Sequence, residues 1–445
     1  MRIIILLSTG LILRSLKFLR SELIILTFSF FFLKSLSLSQ ATCSIYSNYN
    51  SYGSCDQINN LLFILLIYIL IIRFLASNFV SNNKILNFHE MLKGIFYILR
   101  LLFYSTSILS FYIYFELSIL PIFLIIIGWG YQTERVGAAL ALIFYTITAS
   151  MPLLLCILNI RIYNKLFYFR QLLYPLNFNS ATLAMGLGVV LAFLVKLPIF
   201  LGHMWLPKAH VEAPVVGSII LAAVLLKLGG YGLIRLAPIL SSSTTLNCIL
   251  SVALRGSAII GFICINQLDI KVIIAYSSVA HMGLVIGGLL YLNSIGLSGA
   301  MSLIIAHGVR SSIIFFGGNI LYTRRFSRRL LLRKGLLACF PLISFFWLFS
   351  IIGRMAAPPI INLITEILCI SRIISFSLYN IVWMALSVIL AGLYSIILYS
   401  RTQQSGFLSN SSLSKYVTTN ESLVFFSHIF WSLLLILSLD YFLFI

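Results

Sequence analysis

Apolar runs of about twenty residues, each enough to cross a bilayer as a helix, follow one another along almost the whole chain. A membrane-spanning strand needs only about ten alternating residues, so helices fit this pattern better than a barrel. Of the 445 residues, 61% are hydrophobic and only 9% are charged, which excludes a water-soluble domain, a disordered chain and a secreted disulfide scaffold. The sequence therefore predicts an all-α membrane protein that crosses the bilayer many times.

The apolar runs predict about fourteen transmembrane helices. Their approximate bounds are 3–16, 22–38, 58–77, 94–110, 112–129, 137–158, 181–208, 215–239, 246–266, 270–292, 297–322, 336–356 continuing through a break to 373, 379–400 and 422–444.

Basic residues indicate how these helices are oriented. With the N-terminus outside, the loops on the side of synthesis hold most of the loop Lys and Arg, as the positive-inside rule expects. These loops include the ones that carry Arg135, Lys208 and Lys271 and the basic cluster at 324–334. The net charge of +20 is scattered over loops and forms no continuous basic face, so membrane topology is favoured over binding of nucleic acid.

Cysteine spacing and nucleotide motifs exclude several classes of enzyme. The seven cysteines include no CxxC pair, and the histidines lack the close spacing on one helix that zinc ligands have in HExxH. No glycine-rich phosphate-binding loop is present. We therefore predict that the chain binds no metal, iron–sulfur cluster or nucleotide of its own.

Ionisable side chains within apolar runs are the candidates for function, because a charge at bilayer depth is costly. Glu116 lies in the fifth run, Lys196 in the seventh and Lys227 in the eighth. Desolvation favours the neutral form of a buried lysine, whereas a nearby carboxylate favours its charged form. Such a lysine can therefore change its protonation state when its partner moves. The alternatives are a static ion pair between two helices and a lysine that extends to the membrane interface.

Two histidines extend this set toward a second carboxylate. His281 and His307 fall in the middle of the tenth and eleventh runs, between Lys227 and Glu366 in sequence. Histidine changes charge near physiological pH, so this arrangement predicts a proton relay. The alternative for each is a histidine whose hydrogen bonds are satisfied within the core.

Prolines interrupt two of the predicted spans. Pro198 and Pro207 lie in the seventh run, and Pro358–Pro359 lie in the twelfth. Proline removes a helix hydrogen bond and disfavours helix at the preceding residue. Broken helices at membrane depth line hydrated cavities or lie buried in protein, and His203 and His210 fall within the first broken segment. Their positions five helices apart suggest two repeats of related design.

Several segments together resemble the chain 4 family among the antiporter-like membrane subunits of NADH:ubiquinone oxidoreductase, respiratory complex I. The segments are FELSILP, GWGYQTERVGAAL, VKLPIFLGHMWLPKAHVEAPVVGSIILAAVLLKLGGYG, QLDIKVIIAYSSVAHMG, IIAHG and MAAPPIINLITEI. The resemblance covers about residues 90–445. WLPKAHVEAP followed by LLKLGGYG distinguishes this family from the sister subunits 2 and 5.

This resemblance implies fourteen helices arranged as two inverted five-helix repeats, helices 4–8 and helices 9–13, each with one broken helix. The corresponding regions are residues 1–90 for helices 1–3, 91–240 for the first repeat, 241–402 for the second repeat and 403–445 for a loop and the last helix.

The resemblance also implies a function. The chain is expected to be a proton-translocating subunit of the membrane arm, in the mitochondrial inner membrane, and to hold no redox centre. NADH, FMN, iron–sulfur clusters and ubiquinone would be handled by other subunits. The expected partners are membrane lipids and other membrane-arm subunits, including the sister subunits 2 and 5.

Residue roles follow from the same resemblance. They are Glu116 and Lys196 as a coupling ion pair, Lys227 as the central relay lysine, His203, His281 and His307 as members of a hydrated axis, and Glu366 as the terminal group.

Four arginines depart from the family pattern. Arg100, Arg255, Arg310 and Arg354 lie inside predicted spans where the family usually has small or neutral residues. Either they are additional intramembrane cations, or their codons specify other residues in this mitochondrial genetic code.

Two other classes of protein share parts of this pattern. A free-standing cation/proton antiporter has the same architecture and needs no partner enzyme. A structural membrane subunit would carry the same buried charges as static pairs.

Overall fold

The structure is a computed structural model, and it describes most of the chain beyond the N-terminal segment. The described residues are 49–50, 53–54, 56–76, 85–164, 167–169, 171, 182–236, 243–290, 293–325, 327–330, 335–358, 360–376, 378–404 and 417–437. The predicted helices at 3–16 and 22–38 lie outside these residues.

Helices make up nearly all of the described part of the chain. Their bounds are α1 Gln57–Ala76, α2 Ile85–Tyr104, α3 Ile108–Leu117, α4 Ile119–Trp129, α5 Arg135–Asn164, α6 Thr182–Lys196, α7 Trp205–Glu212, α8 Val215–Ile220, α9 Leu226–Leu236, α10 Ser243–Asn266, α11 Ile270–Leu289, α12 Ser294–Arg325, α13 Leu336–Cys339, α14 Pro341–Arg354, α15 Ile361–Phe376, α16 Ile381–Gln403 and α17 Thr419–Leu437. A small antiparallel hairpin pairs β1, Tyr49–Asn50, with β2, Gly53–Ser54, within the predicted polar link.

The helical class predicted from the apolar runs is confirmed. Within the described residues, eight segments are long and apolar enough to cross a membrane. They are Ile108–Trp129, Arg135–Ile162, Val215–Leu236, Leu246–Asn266, Ile270–Leu289, Ser294–Arg324, Leu378–Gln403 and Thr419–Ile436. Shorter apolar helices lie at Gln57–Ile72, Gly186–Lys196 and Pro341–Arg354.

Capping residues set helix ends that the apolar runs did not locate. The predicted run 94–110 is wrong at both ends, because α2 begins at Ile85 and a new helix starts after Ser107. The Ser107 hydroxyl accepts a hydrogen bond from the backbone N–H of Ser110, which is a standard N-cap. At α17, Thr418 and Glu421 cap each other through reciprocal backbone bonds of 3.3 and 3.1 Å.

Both predicted helix breaks are present. Helix α6 ends at Lys196 and α7 begins at Trp205, while α14 ends at Arg354 and α15 begins at Ile361. Each break contains a non-glycine residue with positive φ, namely Leu201 at 80° and Ala356 at 53°. Such strained backbone persists only where the surrounding structure enforces it.

The break expected at Pro207 is wrong. Pro207 lies in the first turn of α7, where the missing N–H has no partner to lose. The chain is therefore broken before this helix, at Pro198, and resumes helical geometry through Pro207.

A π-helical turn, Leu221–Leu225, joins α8 to α9 within one continuous buried span. Such turns widen a helix locally and occur frequently at functional sites. Lys227 is the second residue of α9, directly after this turn.

Glycines allow α9 to pack against α6 at backbone distance. A Cβ atom at Gly229 would lie 2.7 Å from the carbonyl oxygen of Phe193 and 2.8 Å from the backbone nitrogen of Leu197. Backbone atoms cannot move aside as a flexible side chain can, so any larger residue would push the two helices apart. This contact holds the Lys227 helix against the end of the helix that carries Lys196.

We expect Gly229→Ala to destabilise the protein by about 1–3 kcal/mol, the usual cost of overpacking. The measurement is the thermal midpoint of the purified protein in detergent. Gly186→Ala on α6 is the matched control, because a Cβ atom there meets nothing within 4 Å. An unchanged midpoint for Gly229→Ala would show that the helices do not need this close approach.

Candidate functional site

Four of the seven predicted site residues form a row of contacts across four helices. Lys227 Nζ lies 2.9 Å from His307 Nδ1. The imidazole rings of His307 and His281 have centroids 5.8 Å apart, and His281 Nδ1 lies 3.4 Å from a carboxylate oxygen of Glu366. All four side chains are buried. We refer to these four residues as the central row.

The π turn places the lysine at one end of this row. Lys227 Nζ donates a hydrogen bond to the carbonyl oxygen of Ala222, five residues earlier and within the turn. Its second contact, with His307, requires the imidazole to carry its proton on Nε2 when the ammonium donates. The lysine thus has one backbone partner and one partner that can itself take up a proton.

The second broken helix places the carboxylate at the other end. Glu366 lies in α15, five residues after the helix resumes at Ile361. One turn earlier, the side-chain amide of Asn362 is fully buried, and neither of its polar atoms has a hydrogen-bond partner. Unpaired buried amides are rare and mark positions where water is normally bound.

Glu116 and Lys196 form a separate pair. Lys196 Nζ lies 3.8 Å from a Glu116 carboxylate oxygen and donates a 2.7 Å hydrogen bond to the carbonyl oxygen of Phe115. It also lies 3.0 Å from the centre of the Phe115 ring, a close cation–π contact. The glutamate side chain is 21% exposed, whereas that of the lysine is 7% exposed. The carboxylate can therefore reorient while the ammonium keeps a partner.

The predicted residues do not all meet. Among the described residues, no hydrogen bond or ion pair links Lys196 with Lys227; their helices touch through Leu197 and Gly229 instead. His203 lies in the first break, stacked on Phe200 and edge-on to Tyr276 at 5.6 and 5.8 Å, and not in the central row.

The central row combines groups that exchange protons readily. A neutral imidazole accepts a proton on one nitrogen and donates from the other, and a buried lysine can be held charged or neutral by its surroundings. Intramembrane groups of this kind are typical of proton pathways in transporters. Among the described residues, no group of three or more His, Cys, Asp or Glu side chains is arranged to hold a metal ion.

Two of the unusual arginines lie beside the central row. Arg310 follows His307 by three residues on α12, and one of its terminal nitrogens has no hydrogen-bond partner. Arg354 donates to the Ser277 hydroxyl and lies 5.6 Å from the centre of the Tyr394 ring. Within the described part of the chain, neither guanidinium has a carboxylate at ion-pair distance.

Sequence reasoning missed a buried network at the end of α9. Arg235 forms an ion pair with Asp56 and donates to Asn59 at 2.8 Å and to the Tyr231 hydroxyl at 3.1 Å. Asp56 precedes α1, so this network ties α1 to the helix that carries Lys227. Asp56 and Arg235 both lie near the ends of apolar runs, where charges are common, so the sequence did not mark either as a candidate for a buried ion pair.

Comparisons with known proteins identify the family of this chain. Residues 105–393, which include every predicted site residue, match the family model described as NADH:quinone oxidoreductase/Mrp antiporter, TM. NADH-ubiquinone oxidoreductase chain 4 of Locusta migratoria is 43% identical over 346 residues, which is 77% of each chain. The chain belongs to the NADH-ubiquinone oxidoreductase chain 4 family.

Solved structures agree on the fold of this family member. A chain of respiratory complex I from Thermus thermophilus superposes with a TM-score of 0.86 at 22% identity, covering 98% of this chain and 95% of that one. A chain of the Mrp complex from Dietzia superposes with a TM-score of 0.84 at 14% identity, covering 99% and 94%. The family resemblance predicted from the motifs is thus confirmed, and the fold is that of the antiporter-like membrane subunits.

Proposed function

We propose that this chain is a proton-translocating subunit in the membrane arm of a mitochondrial NADH:ubiquinone oxidoreductase. The observation that carries this proposal is the buried central row, in which Lys227, His307, His281 and Glu366 follow one another across four helices. A row with titratable groups at every step serves proton transfer, whereas a static brace needs only one pair of charges.

Coupling to electron transfer would act through the ion pair of Glu116 and Lys196. When Glu116 lies against Lys196, the ammonium is stabilised, and when the carboxylate turns away, desolvation favours loss of its proton. A change at this pair is transmitted to Lys227 through the close contact of their helices. Redox chemistry with NADH, FMN, iron–sulfur clusters and ubiquinone would take place in other subunits.

The proposed architecture has fourteen helices, with two inverted repeats at helices 4–8 and 9–13. The two broken segments, each with one strained non-glycine residue, support two units of related design. The proposed location is the mitochondrial inner membrane, with other membrane-arm subunits, including the sister subunits 2 and 5, as partners alongside lipids.

A native gel distinguishes this proposal from the alternative of a free-standing antiporter. Membranes solubilised in mild detergent would be resolved, stained for NADH dehydrogenase activity and analysed by mass spectrometry. Peptides of this chain in the active band support the proposal. Their recovery only in an inactive, smaller band would make the antiporter the better interpretation.

We expect Glu116→Gln to lower pump-coupled turnover by about tenfold at neutral pH, because a neutral amide no longer stabilises the Lys196 ammonium. The measurement is NADH:ubiquinone turnover across a pH series in sealed vesicles. Glu134→Gln, at an exposed position in the next loop, is the matched control. An unchanged pH profile for Glu116→Gln would argue against the pairing.

A further inference from the structure

His210 is a histidine of the first broken segment that lies outside the central row. It lies in α7, its side chain is fully buried, and both of its ring nitrogens lack a hydrogen-bond partner. Its ring is stacked on Phe315 with centroids 4.6 Å apart. A buried polar group without a partner is destabilising, so two such nitrogens on one ring need an explanation.

Burial alone does not leave a histidine unpaired in this protein. His428 on α17 is equally buried, yet its Nδ1 lies 2.8 Å from the Val424 carbonyl oxygen and its Nε2 lies 2.7 Å from the Ser312 hydroxyl. The fold thus satisfies one buried histidine completely and leaves the other with both nitrogens free. His428 has the bonding of a structural residue, and His210 has the bonding of a group that exchanges partners.

The position of His210 along the bundle follows from its contact with helix α12. Phe315, which stacks on it, follows His307 by eight residues, or about 12 Å along the helix axis. Tyr322 lies about 10 Å further along the same helix, close to its end. His210 therefore lies between the central row and one end of the bundle. Lys271 and Lys227 are both close enough to act on it electrostatically.

That end of the bundle is a compact polar cluster, which we call the basic face: Tyr131, Glu212, Lys271, Tyr322 and Arg328. Lys271 Nζ donates to the carbonyl oxygens of Val211 and Ala213, at 3.2 and 3.1 Å, where α7 ends. Arg328 lies 3.5 Å from Glu212, and the Tyr131 ring lies under both cations at 5.1 and 5.8 Å.

The loops that form the basic face are those predicted to lie on the side of synthesis. The carboxylate of Glu212 is buried, and one of its oxygens lacks a hydrogen-bond partner. It lies two residues from His210 on the same short helix. The basic face and the unpaired imidazole are thus joined by one short helix, which carries both Glu212 and His210.

We propose that His210 relays protons from the basic face to Lys227, and this inference rests on the proposed function. A proton arriving at the lone-pair nitrogen of the neutral imidazole is matched by loss of the N–H proton from the other nitrogen. Water carries it to the neutral Lys227 amine, which becomes an ammonium. The ring is neutral before and after, and tautomer exchange resets it. The Lys271 ammonium opposes a lasting positive charge on the ring, so the proton is passed on rather than retained.

Two substitutions separate this relay from a packing role. His210→Phe keeps a flat ring against Phe315 but cannot carry a proton, whereas His210→Gln keeps hydrogen-bonding atoms but loses the stacked ring. His428→Gln is the control, because it removes an equally buried histidine outside the route. Pump-coupled NADH:ubiquinone turnover and proton uptake would be measured in sealed vesicles over a pH series, per assembled complex.

We expect both His210 variants to become limited by proton supply. Their turnover should fall as pH rises and should reach about one tenth of the wild-type rate in the alkaline range, since the loss of a positioned proton carrier costs at least this much. The His428→Gln variant and the wild type should share one pH profile.

The opposite results would overturn the relay. A wild-type profile for His210→Phe with a defect only in His210→Gln would show that the ring serves packing, and wild-type profiles for both would show that protons take another route. Either result leaves the proposed function standing if Lys227→Met still loses pumping. Full pumping by Lys227→Met would reject the proposed function itself.

Discussion

Lys227→Met should abolish proton translocation and reduce pump-coupled turnover by about 100-fold or more, since the central row then lacks the titratable group that contacts His307. Methionine fills a similar volume and removes only the charge and the proton. The buried lysine is costly to fold around, so its loss should leave the assembled protein at least as stable. The measurement is proton uptake by sealed vesicles during NADH oxidation.

Lys208→Met is the matched control for this variant. Lys208 is exposed on α7, and its substitution removes the same charge from a loop-facing position. We expect normal pumping from it. Full pumping by Lys227→Met in assembled protein would mean that the buried charges are static and that the chain is a structural subunit.

Asp56→Leu should prevent accumulation of the assembled protein. The Arg235 guanidinium would lose its ion-pair partner in a site where the arginine side chain is only 6% exposed. Removing one partner of a buried ion pair typically costs about 3–5 kcal/mol, which is a large share of the stability of most domains. The amount of chain in the native complex and its thermal midpoint measure the effect.

The double variant Asp56→Leu with Arg235→Met tests the cause. Replacing a buried pair by apolar residues of similar size is often neutral, so most of the lost stability should return. If the double variant is as unstable as Asp56→Leu, the loss arises from contacts of the aspartate other than the arginine. Asn59 and Tyr231, which also bind the guanidinium, would then be the next positions to examine.

The membrane spans and the residues of the central row could be predicted from the sequence, because both follow from the free-energy cost of placing polar groups within an apolar run. An apolar run of membrane length has few alternatives to a helix, and a charge within it needs a reason. Lys227, His281, His307 and Glu366 were selected on this ground, and the structure brings them into contact. His203 was selected because it lies in the first broken segment, and the resemblance assigned it to the hydrated axis; the described structure places it outside the row.

The paired charges could not be read in this way, because their partners are far apart in sequence. Arg235 and Asp56 are separated by 179 residues, and Arg324 and Glu421, whose side chains lie 2.6 Å apart, are separated by 97. A single sequence contains no signal that joins such positions. The effect of Pro207 could not be predicted either. Whether this proline breaks a helix or begins one depends on where the preceding break starts.

The role of His210 also could not be predicted from the sequence. The sequence marked it only as part of a broken segment. Its significance depends on two unpaired nitrogens, a stacked phenylalanine and a basic face built from several loops. These are properties of packing between distant segments.

The π turn before Lys227 has a consequence for how this gene can change in length. A π turn closes over five residues where an α-helix uses four, so the stretch Leu221–Leu225 is one codon longer than the helix requires. Deleting that codon would leave an uninterrupted helix with both flanks directed as before. The Ala222 carbonyl would then be used within the helix, and Lys227 would lose its backbone acceptor. We therefore expect a one-residue deletion within this turn to be tolerated by folding and to impair proton transfer.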